Sequence, residues 1–419
     1  MKYTIQSPKK LVSASILLPA SKSISNRALI LKALSKSSFP IENISDSDDT
    51  EVMIAAFSNS QYEINIGAAG TSMRFLTAYF AQLEGEEHVI TGTERMKNRP
   101  VRILVDALRQ LGASIEYVEK EGFPPLKIKG KKLTGGTISL NGSVSSQYIS
   151  ALMMIASSMS NGLTLKLEGE IISRSYIELT CQMMQDFGVI AQLDDNIIRI
   201  EHQNYLPIPY FVESDWSAAS YWYEVLSLTS NNIEIELSGL QKKSSQGDAK
   251  IVELFDCLGI STNYTEKGVR ISKNTNRTTK LVYNFVNEPD MVQTFVVTCC
   301  FLNVPFRFTG LQSLKIKETD RIFALQKELK KLGYIIADFD DSILEWNGEK
   351  CEPEKNPVID TYEDHRMAMA FAPVSLALGK IIINEPQVVS KSYPNYWKDL
   401  KEAGFNIIQS HTDYTDCTD

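Results

Sequence analysis

The sequence predicts an α/β protein with two domains, each built from three copies of one strand-and-helix repeat. Two observations carry this prediction: amphipathic helices that end in glycine recur at regular intervals, and helices that are apolar nearly all round lie between them. The length agrees, because 419 residues are too many for one ordinary core and suit two domains of roughly 200 residues each.

Five amphipathic helices each end in an apolar residue and a glycine, and an alternating segment typical of a strand follows. The closing glycines are spaced by 71 to 76 residues and are Gly112, Gly188, Gly259, Gly333 and Gly404. In the fourth copy, Ile322, Leu325 and Leu329 form one apolar stripe that glycine terminates. The strands that follow are expected to form hairpins, with turns at 194–196 and 266–268.

Six other helices are apolar nearly all round, and each opens with small or charged residues. They are expected to begin near residues 22, 70, 146, 215, 290 and 364. The alternation of the two helix types predicts six βαβαββ repeats. Because an apolar helix has to be covered on all sides, we expect each domain to hold parallel buried helices enclosed by three small sheets.

The composition argues against partners that need a basic surface. Acidic side chains outnumber basic ones by 51 to 43, so neither nucleic acid nor a membrane is an expected partner. The six cysteines and four histidines show no metal-ligand spacing, and we expect no metal and no cofactor, although an Asp/Glu magnesium site stays open. The start MKYTIQSPKK lacks a signal core and no apolar stretch approaches a membrane span, which favours the cytoplasm.

The predicted fold itself favours an anion site. Parallel buried helices present unpaired N–H groups and the positive ends of their dipoles at one face of a domain. Two such faces on either side of a hinge are expected to form a cleft for a multiply charged anion. Since the chain is acidic overall, the cations that hold this anion have to be clustered locally.

In the first half of the chain, polar residues gather where the buried helices begin. Ser23, in SKSISNR, is the predicted N-cap of the helix that carries Arg27, and the small residues 67–71 would let backbone N–H groups approach a ligand. The remaining members are Lys22, Arg95, Lys97, Arg99, Arg102, Ser145, Ser146, Gln147, Ser173, Arg174 and Tyr176. Each fragment alone fits an ordinary helix start or a solvated loop as well.

The second half adds charges of both signs at its helix starts. They are Lys315, Lys317, Glu318, Asp320 and Arg321 in KIKETDR, Asp364, His365 and Arg366 in DHR, and the separate residues Asp290 and Lys391. The first group also suits a surface ion-pair face. The DHR triplet is more informative, because it opens an apolar helix where charges are costly to bury without partners.

Taken in order, the segments SKSISNRA, AGTSMR, ERMKNRP, GSVSSQ, ISRSYI, PDM, KETDR, DHRMAMA and SKSYP resemble the EPSP synthase family across essentially the whole chain. The resemblance implies a two-domain enolpyruvyl transferase-like fold, with one domain of residues 21–213 and another of residues 1–20 and 214–419. It also implies hinges near residue 20 and just before Asp215, and an active site that closes in the cleft between the domains.

The family resemblance implies transfer of an enolpyruvyl group from phosphoenolpyruvate to the 5-hydroxyl of shikimate 3-phosphate by a monomer. It assigns shikimate 3-phosphate to Lys22, Ser23, Arg27, Ser145, Ser146, Gln147, Ser173, Tyr176, Asp290, Ser313 and Lys317. It assigns phosphoenolpyruvate to Lys22, Gly70, Arg95, Gln147, Arg321, Arg366 and Lys391. Arginine suits both substrates, because each carries a phosphate and a carboxylate that it can hold with two hydrogen bonds.

Four residues are expected to carry the chemistry. Glu318 would protonate the methylene carbon of phosphoenolpyruvate and later remove that proton, while Asp290 would orient or deprotonate the 5-hydroxyl. Lys22 would share the proton work and assist the departing phosphate, and His365 would orient Glu318 or Lys22.

Two departures from the family pattern lie in the binding segments. Where family members usually read NAGTAMRP, this chain has Ala68 and Phe75, and Ser313 stands where asparagine is usual. The acid and base residues are intact, so these departures bear on substrate affinity and on the response to the inhibitor glyphosate.

Three alternatives share much of this pattern. The enolpyruvyl transferase acting on UDP-N-acetylglucosamine resembles the chain in fold and length, but its family carries a reactive cysteine in a loop that here reads TGTERMKNRPV. A hinged anion-binding protein without catalysis, or another phosphate-handling enzyme with the same repeats, would use the same cations. Asp290 and Glu318 argue against a pure binder, because carboxylates weaken anion binding and make sense as proton carriers.

Overall fold

The computed structural model describes residues 1–9, 11, 14–58 and 61–410, which fold into two compact units. The inserted unit consists of Ala20–Glu213 and Ser245–Gly247. The terminal unit consists of Met1–Pro19, Ser214–Ser244 and the chain from Asp248 onward. Each unit has its own hydrophobic core, formed by the buried helices and the inner faces of its sheets.

The helices of the described residues are α1 Lys22–Leu34, α2 Asp48–Ser58, α3 Gly70–Ala81, α4 Glu94–Lys97, α5 Arg102–Gln110, α6 Ser146–Ala156, α7 Arg174–Asp186, α8 Trp216–Leu228, α9 Ile251–Asp256, α10 Val292–Leu302, α11 Arg321–Lys331, α12 His365–Phe371, α13 Ser375–Leu378 and α14 Tyr396–Glu402. The six apolar helices predicted from the sequence are confirmed as α1, α3, α6, α8, α10 and α12, each within about two residues of its predicted start. No helix of the described residues is long and apolar enough to cross a bilayer.

The strands of the described residues are β1 Lys2–Gln6, β2 Ala14–Leu17, β3 Ile41–Glu42, β4 Glu63–Asn65, β5 Glu87–Thr91, β6 Ser114–Tyr117, β7 Leu126–Lys129, β8 Gly136–Asn141, β9 Leu163–Glu168, β10 Ala191–Asp194, β11 Ile197–Ile200, β12 Tyr210–Phe211, β13 Ile235–Ser238, β14 Ile260–Tyr264, β15 Gly268–Lys273, β16 Leu281–Asn284, β17 Phe306–Thr309, β18 Ala337–Phe339, β19 Ile343–Trp346, β20 Val358–Ile359, β21 Lys380–Asn384 and β22 Asn406–Ser410. Among the described residues, these strands form five four-stranded sheets and one two-stranded sheet. The two predicted hairpins are confirmed as β10–β11 and β14–β15.

The inserted unit contains two complete repeats. Their sheets have the orders β4-β5-β7-β6 and β8-β9-β11-β10. In both, the strands before and after the buried helix pair in parallel and the last two strands add antiparallel. The remaining repeat, which comes first along the chain, pairs β3 with β12. It lacks the hairpin that the repeat pattern predicts, because only residues 59–62 separate α2 from β4.

In the terminal unit, strands from the start of the chain complete two of the three sheets. Strand β2 pairs in parallel with β13, and β1 lies between β21 and β22 with antiparallel pairing on both sides. The third sheet, β16-β17-β19-β18, is built from consecutive elements. The chain therefore begins in this unit and returns to it after Glu213.

The outer helices α5, α7, α9, α11 and α14 end at the glycines identified in the sequence. All five glycines have a positive φ, from 83° at Gly188 to 107° at Gly404, a conformation that glycine adopts without steric cost. A sixth amphipathic helix, α2, was not predicted from the sequence, because it ends at Ser58 with no closing glycine.

Candidate active site

In the terminal unit, Arg321 lies in the first turn of α11 and has 1% of its surface exposed. Its side chain contacts three carboxylates. Its guanidinium donates to Asp364 at 2.7 Å, to Asp290 at 2.9 Å and to Glu318 at 2.8 Å. Burial by itself lowers the pKa of this guanidinium, but the three carboxylates reverse the effect and raise it. The structure therefore pairs Glu318 with Arg321, two charged residues of the KETDR segment.

Asp290 lies in the 3-10 turn Pro289–Met291 that leads into α10, and it receives further cations. Arg366 is 2.9 Å from its Oδ2, and the Lys317 ammonium is 3.8 Å from its Oδ1. Burial would raise the pKa of Asp290, but Arg366, Lys317 and Arg321 together hold it well below its ordinary value. Asp290 is consequently ionised at neutral pH.

Capping explains why these charges occupy helix starts. Asp364 is the N-cap of α12 and accepts a hydrogen bond from the backbone N–H of Arg366 at 2.9 Å. Asp320 caps α11 in the same way and accepts from the N–H of Phe323 at 3.0 Å. Each carboxylate satisfies an unpaired N–H and interacts with the positive end of the helix dipole. The local sequence therefore holds Arg321 and Arg366 at two buried helix ends.

The other predicted residues of the terminal unit lie in the neighbouring segments. His365 is 2% exposed, and its Nδ1 is 3.8 Å from Asp364. The Lys391 ammonium donates to the carbonyl of Glu363 at 2.8 Å. Ser313 lies in the 3-10 segment Gln312–Ile316 that precedes the cluster. Ion pairs join Arg321 to Glu318, Asp290 and Asp364, and join Asp290 to Lys317 and Arg366, into one group of charged side chains at the starts of α10, α11 and α12. Ser313 and Lys391 lie in segments outside these helix starts.

A buried acid that the sequence pattern does not reveal lies near this group. Asp248 is 6% exposed and accepts a hydrogen bond from the hydroxyl of Ser217, in the first turn of α8. Tyr221 of the same helix lies 3.4 Å from a guanidinium nitrogen of Arg366. No local pattern marks these residues, because each is an ordinary polar residue in its own segment.

In the inserted unit, Arg27 is 2% exposed and connects three helices. Its guanidinium donates to the hydroxyl of Thr180 in α7 at 2.8 Å, to the hydroxyl of Ser150 in α6 at 3.0 Å, and to the carbonyl of Ser23 at 2.9 Å. Burial lowers the pKa of Arg27 to about 10, so the side chain remains charged at neutral pH.

Phe75, one of the departures from the family pattern, packs against Arg27. Its ring centre is 5.4 Å from the guanidinium carbon, and the ring of Tyr176 is 5.9 Å from the same atom. Guanidinium groups over aromatic rings gain a cation–π attraction. The aromatic substitution therefore changes the surroundings of a predicted substrate-binding cation.

One local prediction for α1 is wrong. The helix begins at Lys22 and its N-cap is Ser21, so Ser23 lies within the first turn. The backbone N–H of Ser21 donates to the carbonyl of Glu213 at 2.9 Å, which holds Ser21 extended through a tertiary contact that the local sequence does not reveal. Lys22 lies 3.9 Å from Asp49, a partner that the sequence analysis did not identify.

Gly70 begins α3 against two arginines. A side chain at this position would place Cβ 2.6 Å from a guanidinium nitrogen of Arg74 and 2.6 Å from one of Arg99. Arg95, which the family resemblance assigns to phosphoenolpyruvate, lies in the short helix α4 that precedes Arg99. The structure thus adds Arg74 and places Arg99, a candidate from the basic loop, next to the small-residue turn.

The starts of α3 and α6 meet in the inserted unit. The amide of Gln147 donates to the hydroxyl of Thr71 at 3.1 Å. Ser145 is the N-cap of α6 and accepts from the N–H of Gln147, and Ser146 is the first helical residue. Ser173 is the N-cap of α7, in a left-handed conformation with φ 58°. Hydroxyls, an amide and helix N-termini gathered in this way suit phosphate oxygens.

The two units therefore offer different chemistry. The inserted unit supplies cations, hydroxyls and helix N-termini, which are groups that bind anions. The terminal unit supplies cations together with the carboxylates Asp290 and Glu318, which can also orient or transfer a proton. Among the described residues, no group of three or more potential ligands is arranged for a metal ion.

Sequence comparisons agree with this chemistry. A family model described as EPSP synthase (3-phosphoshikimate 1-carboxyvinyltransferase) matches residues 6–60 and 56–400. The 3-phosphoshikimate 1-carboxyvinyltransferase of Bacteroides fragilis is 59% identical over 408 residues, which cover 97% of this chain and 99% of the relative. The corresponding protein of Psychromonas ingrahamii is 34% identical, with 96% and 99% of the two chains covered.

Solved structures share the fold. An EPSP synthase structure from Acinetobacter baumannii has a TM-score of 0.79 at 20% identity and covers 97% of this chain and 100% of its own. The enolpyruvyl transferase NikO from Streptomyces tendae has a TM-score of 0.72 at 15% identity, with 98% and 99% covered. These matches confirm the predicted α/β enolpyruvyl transferase fold. Because the family model matches most of the chain and the relatives are similar over nearly their whole length, the chain belongs to the EPSP synthase family.

Proposed function

We propose that the chain transfers the enolpyruvyl (1-carboxyvinyl) group of phosphoenolpyruvate to the 5-hydroxyl of shikimate 3-phosphate, a step of aromatic amino acid biosynthesis. Family membership supports this activity, because a relative that is 59% identical over 97% of the chain is a 3-phosphoshikimate 1-carboxyvinyltransferase. The observation that carries it in the structure is the sharing of one buried guanidinium, that of Arg321, by Glu318 and Asp290.

The reaction is an addition followed by an elimination. A proton is added to the methylene carbon of phosphoenolpyruvate while the 5-hydroxyl loses its proton and its oxygen bonds to the neighbouring carbon. The methyl group formed then loses a proton, the double bond re-forms and phosphate leaves. Glu318 is proposed as the group that gives the proton to carbon and later takes one back.

Asp290 is proposed to orient the 5-hydroxyl rather than to accept its proton. Its pKa is held well below the ordinary value by Arg366, Lys317 and Arg321, with burial acting in the opposite direction. A carboxylate of low pKa is a weak base but a good hydrogen-bond acceptor. Lys22 is proposed to take up the proton that the 5-hydroxyl loses and to supply a proton to the departing phosphate, with His365 as an orienting residue.

The substrate contacts are proposed as the family resemblance assigns them. Shikimate 3-phosphate is assigned to Lys22, Ser23, Arg27, Ser145, Ser146, Gln147, Ser173, Tyr176, Asp290, Ser313 and Lys317. Phosphoenolpyruvate is assigned to Lys22, Gly70, Arg95, Gln147, Arg321, Arg366 and Lys391. The guanidiniums of Arg74 and Arg99 at Gly70 support two additional contacts to phosphoenolpyruvate.

We also propose that the protein acts in the cytoplasm as a monomer. The five cysteines of the described residues are free thiols, as is usual in a reducing compartment. Sedimentation velocity at micromolar concentration tests the monomer.

Phosphate release provides the test of the activity. With phosphoenolpyruvate and shikimate 3-phosphate, we expect release in the presence of a metal chelator. With phosphoenolpyruvate and UDP-N-acetylglucosamine, we expect none. Release only with the second acceptor would replace the proposed substrate, and binding of shikimate 3-phosphate without release would favour an anion-binding protein.

A further inference from the structure

The buried acid Asp248 of the terminal unit has no role in the reaction proposed above. It is the second residue of the 3-10 turn Gly247–Lys250, immediately before α9, and is 6% exposed. The hydroxyl of Ser217 donates a hydrogen bond to its Oδ2. A carboxyl group that is this deeply buried and faces a neutral hydroxyl calls for a physical explanation.

Helix α8 contacts both Asp248 and Arg366, the proposed substrate-binding arginine. Ser217 and Tyr221 are one helix turn apart on the same face of α8. Ser217 contacts Asp248, and the Tyr221 phenol lies 3.4 Å from one guanidinium nitrogen of Arg366. Another nitrogen of this guanidinium is 2.9 Å from Asp290. Asp248 therefore lies along the helix face that Arg366 also contacts.

The carboxylates of this region differ in their partners. Asp290 is surrounded by cations, and Asp215 caps α8 by accepting from the N–H of Ser217 at 2.8 Å. For Asp248, the polar partner within the described residues is the Ser217 hydroxyl. Burial and then repulsion from Asp290 raise the pKa of Asp248 to about 7, although Arg366 and the Ser217 hydrogen bond oppose the rise and Asp215 adds to it.

Tyr283 also interacts electrostatically with Asp248. Tyr283 donates its hydroxyl to Glu288 at 3.1 Å, and burial raises its pKa, so the phenol stays neutral near pH 7. Its ionisation therefore does not contribute to a change near neutral pH.

We propose that Asp248 is a positioning residue for Arg366: it carries a proton while an anionic substrate is held there, and loss of that proton weakens the binding of the substrate. With Asp248 neutral, Arg366 is shared between Asp290 and the substrate. With Asp248 ionised, a further anion competes for the same cation in a buried region where charges are poorly screened. The inference rests on the proposed function, in which Arg366 binds phosphoenolpyruvate.

The direction of the pH dependence follows from the sign of the shift. Because the pKa of Asp248 is raised to about 7, the proton is present below pH 7 and lost above it. The KM for phosphoenolpyruvate is thus expected to rise above pH 7. The substrates also titrate, so the useful quantity is the ratio of the wild-type KM to that of Asp248→Asn, which is neutral at every pH.

We expect this KM ratio to increase about 3- to 10-fold between pH 6 and pH 8.5, which corresponds to a coupling of about half to one pKa unit, while the ratio of kcat values stays flat. Ser217→Ala removes the hydrogen bond that lowers the Asp248 pKa, so it is expected to move the rise in KM to higher pH. Glu253→Gln, which changes an exposed carboxylate of α9, is the matched control and should follow the wild type.

An infrared titration of the protein without substrates supplies a readout that does not depend on activity. The wild type is expected to lose the signal of one buried carboxylic acid as the pH rises through 7, and Asp248→Asn is expected to lack this change. A flat KM ratio in an active enzyme, or identical infrared titrations of the two proteins, would overturn this proposal alone. No phosphate release from the wild type would overturn the proposed function and this inference together.

Discussion

At the scale of single residues, the carboxylates around Arg321 differ in how far they can act on a substrate. The side chain of Asp364 is 0% exposed, that of Asp290 is 16% exposed and that of Glu318 is 24% exposed. Asp364 is therefore a structural cap that holds the guanidinium. Glu318 is the most accessible of the three, which fits the role of exchanging a proton with a bound ligand.

Glu318→Gln tests that role. The amide keeps the size of the side chain but cannot carry the proton, so turnover is expected to fall about 100-fold or more. Binding of shikimate 3-phosphate, measured by calorimetry, should be retained, because Glu318 is not assigned to that substrate. Glu352→Gln changes an exposed carboxylate and serves as the control. Near-normal turnover of Glu318→Gln would remove Glu318 from the chemistry.

At the scale of elements, the packing of α8 against α10 contains polar groups that an apolar helix pattern conceals. Ser220 of α8 and Thr294 of α10 place their hydroxyl oxygens 3.2 Å apart. One turn further along α8, Glu224 is 0% exposed, and burial raises the pKa of this carboxyl well above its ordinary value. Glu224 therefore holds its proton more tightly in the folded protein than in the unfolded chain.

Glu224→Gln is expected to change how stability depends on pH. The raised pKa means that the folded state holds a proton that the unfolded chain releases above about pH 4.5, so wild-type stability falls as pH rises toward the folded-state pKa. The glutamine is neutral throughout and should remove up to about 1.4 kcal/mol per pH unit from that slope. Urea unfolding at pH 5, 6, 7 and 8 measures it.

An unchanged slope in Glu224→Gln would show that Glu224 is ionised in the folded protein. Glu236→Gln, on the partly exposed strand β13, is a suitable control, because its carboxylate is not enclosed by the core. We expect the control to reproduce the wild-type slope.

At the scale of the whole molecule, one core is built from the middle of the chain, and the other combines the start of the chain with its second half. The core of the inserted unit uses buried residues between Ala20 and Val212 alone. The core of the terminal unit combines Ile5, Leu11, Ile16 and Leu18 with residues after 215. Strand β1 is an interior strand of its sheet, so the first 19 residues are part of the architecture of this unit.

Separate expression of fragments tests this division. Fragment 20–213 is expected to unfold cooperatively by itself, because its core uses no residue from outside this range. Fragment 214–410 lacks β1 and β2, which leaves strand β22 without its neighbour and exposes the core, so we expect it not to fold stably. Circular dichroism and urea unfolding measure both. A stable 214–410 fragment would contradict the importance assigned to the first strands.

Much of the site was predictable because its residues occupy helix starts within recognisable segments. The charges of KETDR and DHR were identified in this way, and the Glu318–Arg321 contact spans three residues on one short segment. The neighbours Asp248 and Arg74 were not selected, because what distinguishes them is the residue that each one faces. The N-cap of α1 was wrong for a similar reason, since a contact with Glu213 fixes Ser21.

The sequence by itself determined the two helix types, their starts, the closing glycines and the family. These depend on local periodicity, capping and short motifs, which are properties of neighbouring residues. Tertiary structure alone decided that Arg27 meets Thr180 across 153 residues, that Asp290 and Asp364 converge on Arg321, and that β1 completes the last sheet. Such contacts depend on how sheets close around the buried helices, and neither the helix nor the strand period encodes that closure.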